Sequence, residues 1–312
     1  MLPPKAKPAG GIKVSYRHSE LLNGLGVESF VCHPADESFR CSWFEHNARL
    51  IKTSQLRPET DLLVIPELWA STTLKDLKRD GFKVCVFVQN CYYSSGPDMG
   101  EFLKVREAYG LADLVTSISE DTTQYLVDVL SVDPGRILRQ VYSVNTALFQ
   151  PGQKAKKICY MPRKMEEHVA RVVPTLQALL GNAWQLVPID GKSEKEVAAE
   201  LSSAILFLAF SGFEGLPVPP VEAALSGAVV VGYHGEGGRE YWRRPCFREV
   251  GVGDLQGFLL EVKEAVTEIE SGQLEVQKMN DTIAYLRQFF SAQNELNHLN
   301  AFASRAQGLF AS

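Results

Sequence analysis

Two glutamates, Glu214 and Glu222, lie eight positions apart in the stretch "SGFEGLPVPPVEAALSG", with three prolines between them. The apolar run "AILFLAF" just before this stretch predicts a strand, so Glu214 falls at a strand's carboxyl end, where open α/β sheets bind ligands. Proline suits the first turn of a helix because it lacks an N–H and its φ is already near the helical value. We therefore expect a helix from near Val218, with both acids on the rim of one cleft.

The main-chain amides between the two acids could bind phosphate. Gly215, Leu216 and Val218 lie at the predicted start of this helix, where amide groups and the positive end of the helix dipole attract anions. A bound phosphate would repel a carboxylate, so we expect the two glutamates to bind hydroxyl groups on either side of a diphosphate. A nucleotide sugar has this layout, with a ribose, two phosphates and a hexose in line.

Short apolar runs alternate with helical patterns along nearly the whole chain, which is typical of βαβ units and a parallel sheet. In the first half, strands are predicted at 26–33, 61–66, 82–88 and 112–119, and helices at 11–24, 70–79, 99–109 and 120–131. In the second half, strands are predicted at 157–161, 184–189, 204–210 and 228–233, and helices at 165–180, 193–203, 217–226 and 254–271.

A break in this alternation predicts a domain boundary near residue 150. The segment "NTALFQPGQKAKK", residues 145–157, combines a Pro-Gly turn with several polar and basic residues, as linkers do. We therefore predict two Rossmann-like domains, 1–150 and 151–312. The second includes an amphipathic helical tail at about 275–310, which either closes that domain or crosses back onto the first.

Composition and charge narrow the class of protein. The 312 residues include 32 basic and 37 acidic side chains, so nothing global indicates a nucleic-acid partner. The six cysteines are scattered without a CxxC pair, which favours a reduced, cytoplasmic protein. No apolar run approaches the ~18 residues of a membrane span, and the N-terminus lacks a signal-peptide core. Peripheral membrane contact and the oligomeric state stay open.

Three segments resemble glycosyltransferases of the GT-B fold, in particular the retaining enzymes of family 4. They are the two-glutamate stretch with the following "AALSGAVVVGYHGEGGREYW", the segment 112–151 beginning "ADLVTSISEDTTQ", and "GGIKVSYRHSELLNGLGVESFVCHP" at 10–34. The resemblance implies an α/β protein with two Rossmann-like domains facing a central cleft. It also implies transfer of a sugar from a UDP- or GDP-linked donor to a glycan, a lipid-linked or a small-molecule acceptor, as in polysaccharide assembly.

The resemblance assigns roles to the residues of the second half. It implies that Glu222 holds the ribose hydroxyls, that Glu214 contacts the donor sugar, and that the amides of Gly215 and Leu216 lie against sugar and phosphates. Further donor residues follow the first two strands of that domain. Arg163 matches the family's diphosphate-binding arginine, Lys164 is the expected substitute for a family lysine whose position holds His168, and Val187 to Ile189 would flank the base.

In the first half, the resemblance gives donor-binding roles to two pairs of residues. Gly10 and Gly11 would let the main chain approach the donor phosphates or the acceptor. Gln89 and Asn90 stand where many relatives carry a histidine; they can hydrogen-bond a sugar but cannot act as acid or base. The segment "MLPPKAKPA" precedes the glycines and contains three prolines, so we do not expect the family's complete central strand there.

The expected chemistry is stabilisation of a leaving diphosphate and an oxocarbenium-like sugar. Arg163, Lys164 and the main-chain amides would supply positive potential where negative charge develops. The chain contains no Asp-x-Asp motif, so the sequence does not require a divalent metal, and no cofactor is expected beside the nucleotide sugar. We therefore predict a retaining, metal-independent transferase.

Other interpretations stay open at this point. The short first strand and the Gln-Asn pair would also suit a non-catalytic nucleotide-sugar-binding or partner subunit of the same fold. An epimerase of nucleotide sugars would need an acid and a base facing the sugar, and the sequence does not assemble such a pair. Each motif also has a plain structural explanation: a loop acid, a solvated helix glutamate, an exposed basic pair, a glycine turn or a strand end.

Overall fold

The computed structural model describes residues 1–5, 7, 9–96 and 101–311. The chain forms two compact units, residues 1–142 with 293–312, and residues 143–292. Each unit is built on one parallel sheet, of four strands in the first unit and five in the second. The predicted α/β class with two Rossmann-like domains is confirmed.

The first unit has the sheet order β1-β2-β3-β4, with all neighbours parallel. Its strands are β1 (Leu62–Pro66), β2 (Lys83–Val88), β3 (Leu114–Ser117) and β4 (Ile137–Arg139). Its helices are α1 (Gly10–Gly24), α2 (Ala70–Arg79), α3 (Phe102–Leu111), α4 (Glu120–Asp128) and α10 (Ala292–Gly308). The first two residues of the helix predicted at 99–109 lie outside the described residues.

The strand predicted at 26–33 is wrong. The structure has only an isolated parallel bridge there, between Val31 and Leu50. On the other side of this segment, a single ladder bond joins the amide of Leu2 to the carbonyl of Cys32, at 2.7 Å. With so little main chain beside it, the segment cannot build a continuous ladder. The described residues of 1–9 contain no strand, as their prolines predict.

The second unit has the sheet order β6-β5-β7-β8-β9, again parallel throughout. Its strands are β5 (Ala155–Tyr160), β6 (Gln185–Pro188), β7 (Ala204–Glu214), β8 (Val229–Glu236) and β9 (Phe247–Glu249). Its helices are α5 (Glu166–Leu180), α6 (Glu194–Ser203), α7 (Pro219–Leu225), α8 (Leu255–Glu270) and α9 (Val276–Phe289). α6 begins with a reciprocal capping box between Ser193 and Glu196.

The C-terminal tail forms two helices that belong to different units. α9 packs against α7 in the second unit, and the chain then leaves helical geometry at Phe290, which is fully buried. α10 belongs to the first unit, where Glu295 pairs with Arg17 and Phe302 packs with Cys85. The units therefore divide at 142/143 instead of 150/151, and the predicted second domain does not keep the whole tail.

An aromatic cluster holds α8 against the second sheet. The rings of Phe210 on β7 and Phe258 on α8 stack with centroids 4.9 Å apart, and Tyr233 on β8 meets Phe258 edge-on at 5.3 Å. All three side chains are buried.

Among the described residues, no helix is long and apolar enough to cross a membrane.

Replacing Phe258 with alanine is expected to destabilise the second unit by about 3–5 kcal/mol, because the change leaves a cavity between α8 and two strands. Urea unfolding followed by circular dichroism measures this loss. Leu260→Ala is the matched control, since Leu260 lies on the same helix and is 55% exposed. Equal losses in the two variants would contradict the assignment of this cluster as the core of the second unit.

Candidate functional site

Four charged side chains lie at the carboxyl edge of the second sheet and form two ion pairs. Arg163 and Lys164 follow β5, Asp190 follows β6, and Glu214 ends β7. Because β5 lies between β6 and β7 and all three strands are parallel, the residues after them lie at the same edge. This edge is where parallel α/β sheets bind their ligands.

Glu214 is held through one of its two carboxylate oxygens. Its Oε2 accepts a hydrogen bond from the ammonium of Lys164 at 2.5 Å. Its Oε1 is buried and has no hydrogen-bond partner among the described residues. The side chains of Lys164 and Glu214 are 38% and 25% exposed, so a ligand can reach both. The exposed part of the Glu214 side chain is open to a ligand, whereas Oε1 is covered by protein.

Arg163 has a carboxylate partner that the sequence interpretation did not include. Its Nε lies 2.6 Å from Oδ1 of Asp190, and the Arg163 side chain is 77% exposed. Exposed ion pairs of this kind contribute about 0–1 kcal/mol, so a doubly charged diphosphate can compete for the guanidinium. Asp190 could have been found from its position directly after the predicted strand at 184–189.

A tight turn presents the two cations. The amide of Lys164 donates to the carbonyl of Met161, and Met165 adopts left-handed backbone angles, with φ 48°, just before α5 begins. His168, in the first turn of α5, is hydrogen-bonded through Nδ1 to the hydroxyl of Tyr233 at 2.9 Å. His168, which the sequence resemblance placed where a lysine was expected, is therefore tied to β8.

The loop that carries Gly215 and Leu216 is packed against the segment after β8. The amide of Gly237 donates to the carbonyl of Glu214 at 3.1 Å, and a Cβ atom added to Gly237 would collide with the carbonyl of Gly215. The hydroxyl of Tyr241 donates to the carbonyl of Pro217 at 2.5 Å. These contacts fix the main chain beside Glu214, a role for Tyr241 that sequence reasoning missed.

The helix after this loop is shorter than predicted. α7 has seven residues, two prolines occupy its first two positions, and Val218 precedes them with helical backbone angles. The prolines bring no N–H groups, and a helix of two turns has a weak dipole, so the positive potential at this edge comes mainly from Arg163 and Lys164. Glu222 lies half-buried in the first turn of α7, as predicted.

The residues predicted to flank a base differ in exposure. Val187 is half-buried on β6, whereas Ile189 is 5% exposed and its amide donates to the carbonyl of Tyr160 on β5. Ile189 therefore contributes mainly to packing, and Val187 is the more accessible of the two. Their contact with a base stays a prediction.

In the first unit, the glycine pair lies within a helix. α1 begins at Gly10, one residue before the predicted start, so Gly10 and Gly11 lie in its first turn. The side-chain amide of Gln89 donates to the carbonyl of Gly11 at 3.1 Å, and a Cβ atom at Gly11 would lie 2.8 Å from Gln89 Nε2. The missing side chain at Gly11 therefore accommodates Gln89.

A buried carboxyl, which the sequence interpretation missed, holds the turn that contains Asn90. Glu67 directly follows β1, is 4% exposed, and accepts the amide of Asn90 through Oε1 at 2.9 Å. Asn90 in turn accepts the amide of Tyr92 with its side chain. Burial raises the pKa of Glu67 to about 7. Its position directly after the strand predicted at 61–66 was the sequence feature from which Glu67 could have been identified as a candidate residue.

Neither a metal cluster nor a disulfide is present in the described part of the chain. No group of three or more His, Cys, Asp or Glu side chains there could hold a metal ion. All six cysteines are unpaired and buried. The cysteines therefore act as packing residues.

Comparison with known proteins gives the fold a name. No family model matches the sequence, and no curated protein does. The structure is similar to HepE of Anabaena, solved with UDP, at a TM-score of 0.73 and 13% identity, covering 97% of this chain and 98% of that one. It is also similar to sucrose-phosphate synthase of Thermosynechococcus elongatus, at a TM-score of 0.68 and 13% identity, covering 97% of this chain and 94% of that one. A glycosyltransferase of Rickettsia africae is a third match, at a TM-score of 0.62 and 12% identity, covering 100% of this chain and 98% of that one. The chain has the GT-B fold.

The variant Glu67→Gln is expected to reduce the pH dependence of the first unit's stability. Because the folded-state pKa of this carboxyl is raised from 4.5 to about 7, its contribution to stability is complete below pH 4.5 and is lost as the pH rises through 7. The loss amounts to about 3 kcal/mol, which a neutral amide avoids.

Thermal unfolding at pH 5 and pH 8 measures this difference, with the exposed Glu59→Gln as the control. The parent and the control should lose more stability between the two pH values than Glu67→Gln does. Identical losses in all three proteins would show that Glu67 does not titrate in this range.

Proposed function

We propose that this protein transfers a sugar from a UDP- or GDP-linked donor to an acceptor, with the donor bound at the carboxyl edge of the second sheet. The observation that carries the proposal is the ion pair of Glu214 with Lys164, which is partly exposed and lies at the same sheet edge as the exposed Arg163. A partly exposed carboxylate beside two exposed cations suits a molecule with a hydroxyl next to a diphosphate. A nucleotide sugar has both groups.

Solved structures of the same fold support this choice. HepE was solved with UDP, with UDP-glucose, and with UDP and glucose, at 12–13% identity to this chain. A lipopolysaccharide outer core galactosyltransferase, WaaB, is also similar, with a TM-score of 0.68. These neighbours make a sugar nucleotide the first donor to test, and glycan or lipid-linked saccharides the first acceptors.

In the proposed reaction, the two cations stabilise the leaving diphosphate. The diphosphate competes with Asp190 for Arg163 and with Glu214 for Lys164, since each of these pairs is partly exposed. Both cations are already positioned by their ion pairs, so little reorganisation is needed when negative charge develops on the leaving group. Side chains thereby supply the positive charge, which is the basis for proposing a metal-independent reaction.

The two glutamates orient the donor at its ends. Glu214 accepts a hydrogen bond from a sugar hydroxyl, and Glu222 accepts hydrogen bonds from the ribose. The acceptor hydroxyl attacks the anomeric carbon of the sugar on the face from which the diphosphate leaves, and this same-face attack gives retention of configuration. An oxygen of the leaving phosphate takes the proton of the acceptor hydroxyl. The amides of Gly215, Leu216 and Val218 line the path between the two acids.

A non-catalytic nucleotide-sugar-binding subunit is the second candidate. In the first unit, the Gln89 side chain is bound to Gly11 and the Asn90 side chain to Tyr92. Both polar groups that were expected to face a sugar thus have internal partners. This candidate predicts donor binding without turnover with any acceptor.

Turnover and binding should respond differently to two substitutions. Glu214→Gln is expected to keep nucleotide affinity within about threefold, because UDP lacks the sugar, and to lower the rate of UDP release from a UDP-sugar by roughly a hundredfold. Lys164→Met should weaken UDP binding about tenfold or more, since a charge-assisted contact is lost. Calorimetry with UDP and GDP, and a nucleotide-release assay with glycan and lipid-linked acceptors, measure both effects.

Glu167→Gln is the matched control, because Glu167 lies close by on α5 with its side chain 87% exposed. If neither UDP nor GDP binds the parent protein, the proposed function is wrong. If Lys164→Met binds them as the parent does, the donor site does not include Lys164. Binding that depends on Lys164 but never leads to nucleotide release would favour the non-catalytic subunit.

A further inference from the structure

An exposed aromatic side chain lies at the carboxyl edge of the second sheet, next to the charged residues described above. All 16 phenylalanines fall in the described part of the chain, and Phe213 is the only one that is exposed. At 75%, it is also the most exposed of the large hydrophobic residues in the described structure. It directly precedes Glu214 at the end of β7. The most exposed apolar surface of a single residue thus lies beside the carboxylate of the candidate donor site.

A β-bulge at the end of β7 displaces Phe213 from the ladder. Ser211 pairs with His234 on β8. The next pair is Glu214 with Glu236, so three steps along β7 match two steps along β8. A bulge of this kind inserts one extra residue and redirects side chains, and bulges are frequent next to active sites. In a regular ladder Phe213 would be the partner of Glu236, and the bulge gives that place to Glu214.

Two glycines and a methionine fix the main chain of the bulge. Gly235 lies on β8 opposite the bulge with φ 63°, and a Cβ atom there would come within 2.9 Å of the carbonyl oxygen of Gly212. β8 can therefore approach the bulge only because residue 235 lacks a side chain. A Cβ atom at Gly212 would lie 3.8 Å from Cγ and Sδ of Met165, so this side chain packs against the bulge. The aromatic residue thus projects from restricted main chain.

The two side chains at the bulge match the two kinds of surface of a sugar ring. Glu214, paired with Lys164 through Oε2 and partly exposed, can accept hydrogen bonds from the hydroxyl groups on the rim of the ring. Phe213 offers an aromatic face, whose negative potential attracts the weakly positive C–H bonds on the face of the ring. A phosphate has no such C–H face. An exposed phenyl ring beside a carboxylate therefore suits a saccharide.

We propose that Phe213 is a stacking platform for the pyranose ring of the donor sugar. The inference rests on the proposed function, in which Glu214 lies at the sugar end of the donor while Glu222 and Val187 lie towards the ribose and the base. Phe213 is the chain neighbour of Glu214, so the sugar covers its ring and the base does not. The stacked face is the one opposite the leaving diphosphate, because the acceptor needs the other face.

Stacking on that face narrows the class of sugar. In an α-linked hexose donor the diphosphate is axial on one face, and the opposite face carries the axial substituents of C2 and C4. In glucose both of these are hydrogens, so the face is flat enough to lie on a phenyl ring. Galactose has an axial hydroxyl at C4 and mannose has one at C2, and either hydroxyl would separate the two rings. The stacked sugar therefore has the configuration of glucose at C2 and C4.

The test measures binding by calorimetry, with UDP, UDP-glucose and UDP-galactose, and with GDP and GDP-glucose in parallel. Phe213→Leu keeps an apolar side chain but removes the aromatic face, so it should weaken binding of the glucose donor by about fivefold (~1 kcal/mol) and leave the free nucleotide unchanged. Phe213→Tyr keeps the ring and should bind as the parent does. Leu179→Ala is the control, since Leu179 is 54% exposed on α5. The parent should prefer UDP-glucose to UDP-galactose, and Phe213→Leu should reduce this preference.

The contrary outcomes separate this inference from the proposed function. If Phe213→Leu binds the nucleotide as the parent does and the glucose donor equally well, the stacking role is wrong and the donor site stands. An equal loss of free nucleotide and nucleotide sugar would mean that the ring contacts the base, which also overturns the inference. A preference for UDP-galactose in the parent would overturn the assigned configuration. Absence of any nucleotide binding to the parent would instead refute the proposed function itself, and this inference with it.

Discussion

The parallel pairing of β5 with β6 on one side and β7 on the other brings three strand ends to one edge of the second sheet. From this single constraint come both ion pairs of the candidate site, Arg163 with Asp190 and Lys164 with Glu214. Both cations follow β5, the middle one of these three strands, and the acids follow its two neighbours, β6 and β7. No other order of these three strands would place one acid on each side of the two cations.

The ion pairs serve positioning more than stability. At these exposures an ion pair contributes little to folding, but it restricts long side chains to one region and so lowers the entropy lost when a ligand binds. The loop between β7 and α7 is restricted in a second way, by close contact of Gly215 with Gly237 and by the hydrogen bond from Tyr241. The candidate site thus rests on fixed main chain and on cations that are held but accessible.

The first unit has the same sheet type but a different arrangement at its strand ends. Its acid at the end of β1, Glu67, is buried and bound to the main chain after β2, so it stabilises a turn instead of facing a ligand. On the side of β1 away from β2, the nitrogen of Met1 donates to the carbonyl of Val64, and the amide of Leu2 donates to the carbonyl of Cys32. Prolines follow within a few residues, and the chain then enters α1. The carboxyl end of β1 is thus closed by a buried acid, whereas the strand ends of the second sheet carry exposed charges.

Local sequence determined most of the elements and the placing of the two-glutamate stretch. Apolar periodicity and proline chemistry act over a few residues, so the helix at 70–79 and Glu222 in the first turn of α7 were predictable. The absence of a strand at 26–33 was not predictable, because a strand needs neighbours and those are decided elsewhere in the chain. The same reason hid the return of α10 to the first unit, fixed by contacts such as Arg17 with Glu295, 278 residues apart. The pairing of Lys164 with Glu214, 50 residues apart, and the burial of Glu67 likewise depend on strand order, which short-range patterns do not contain.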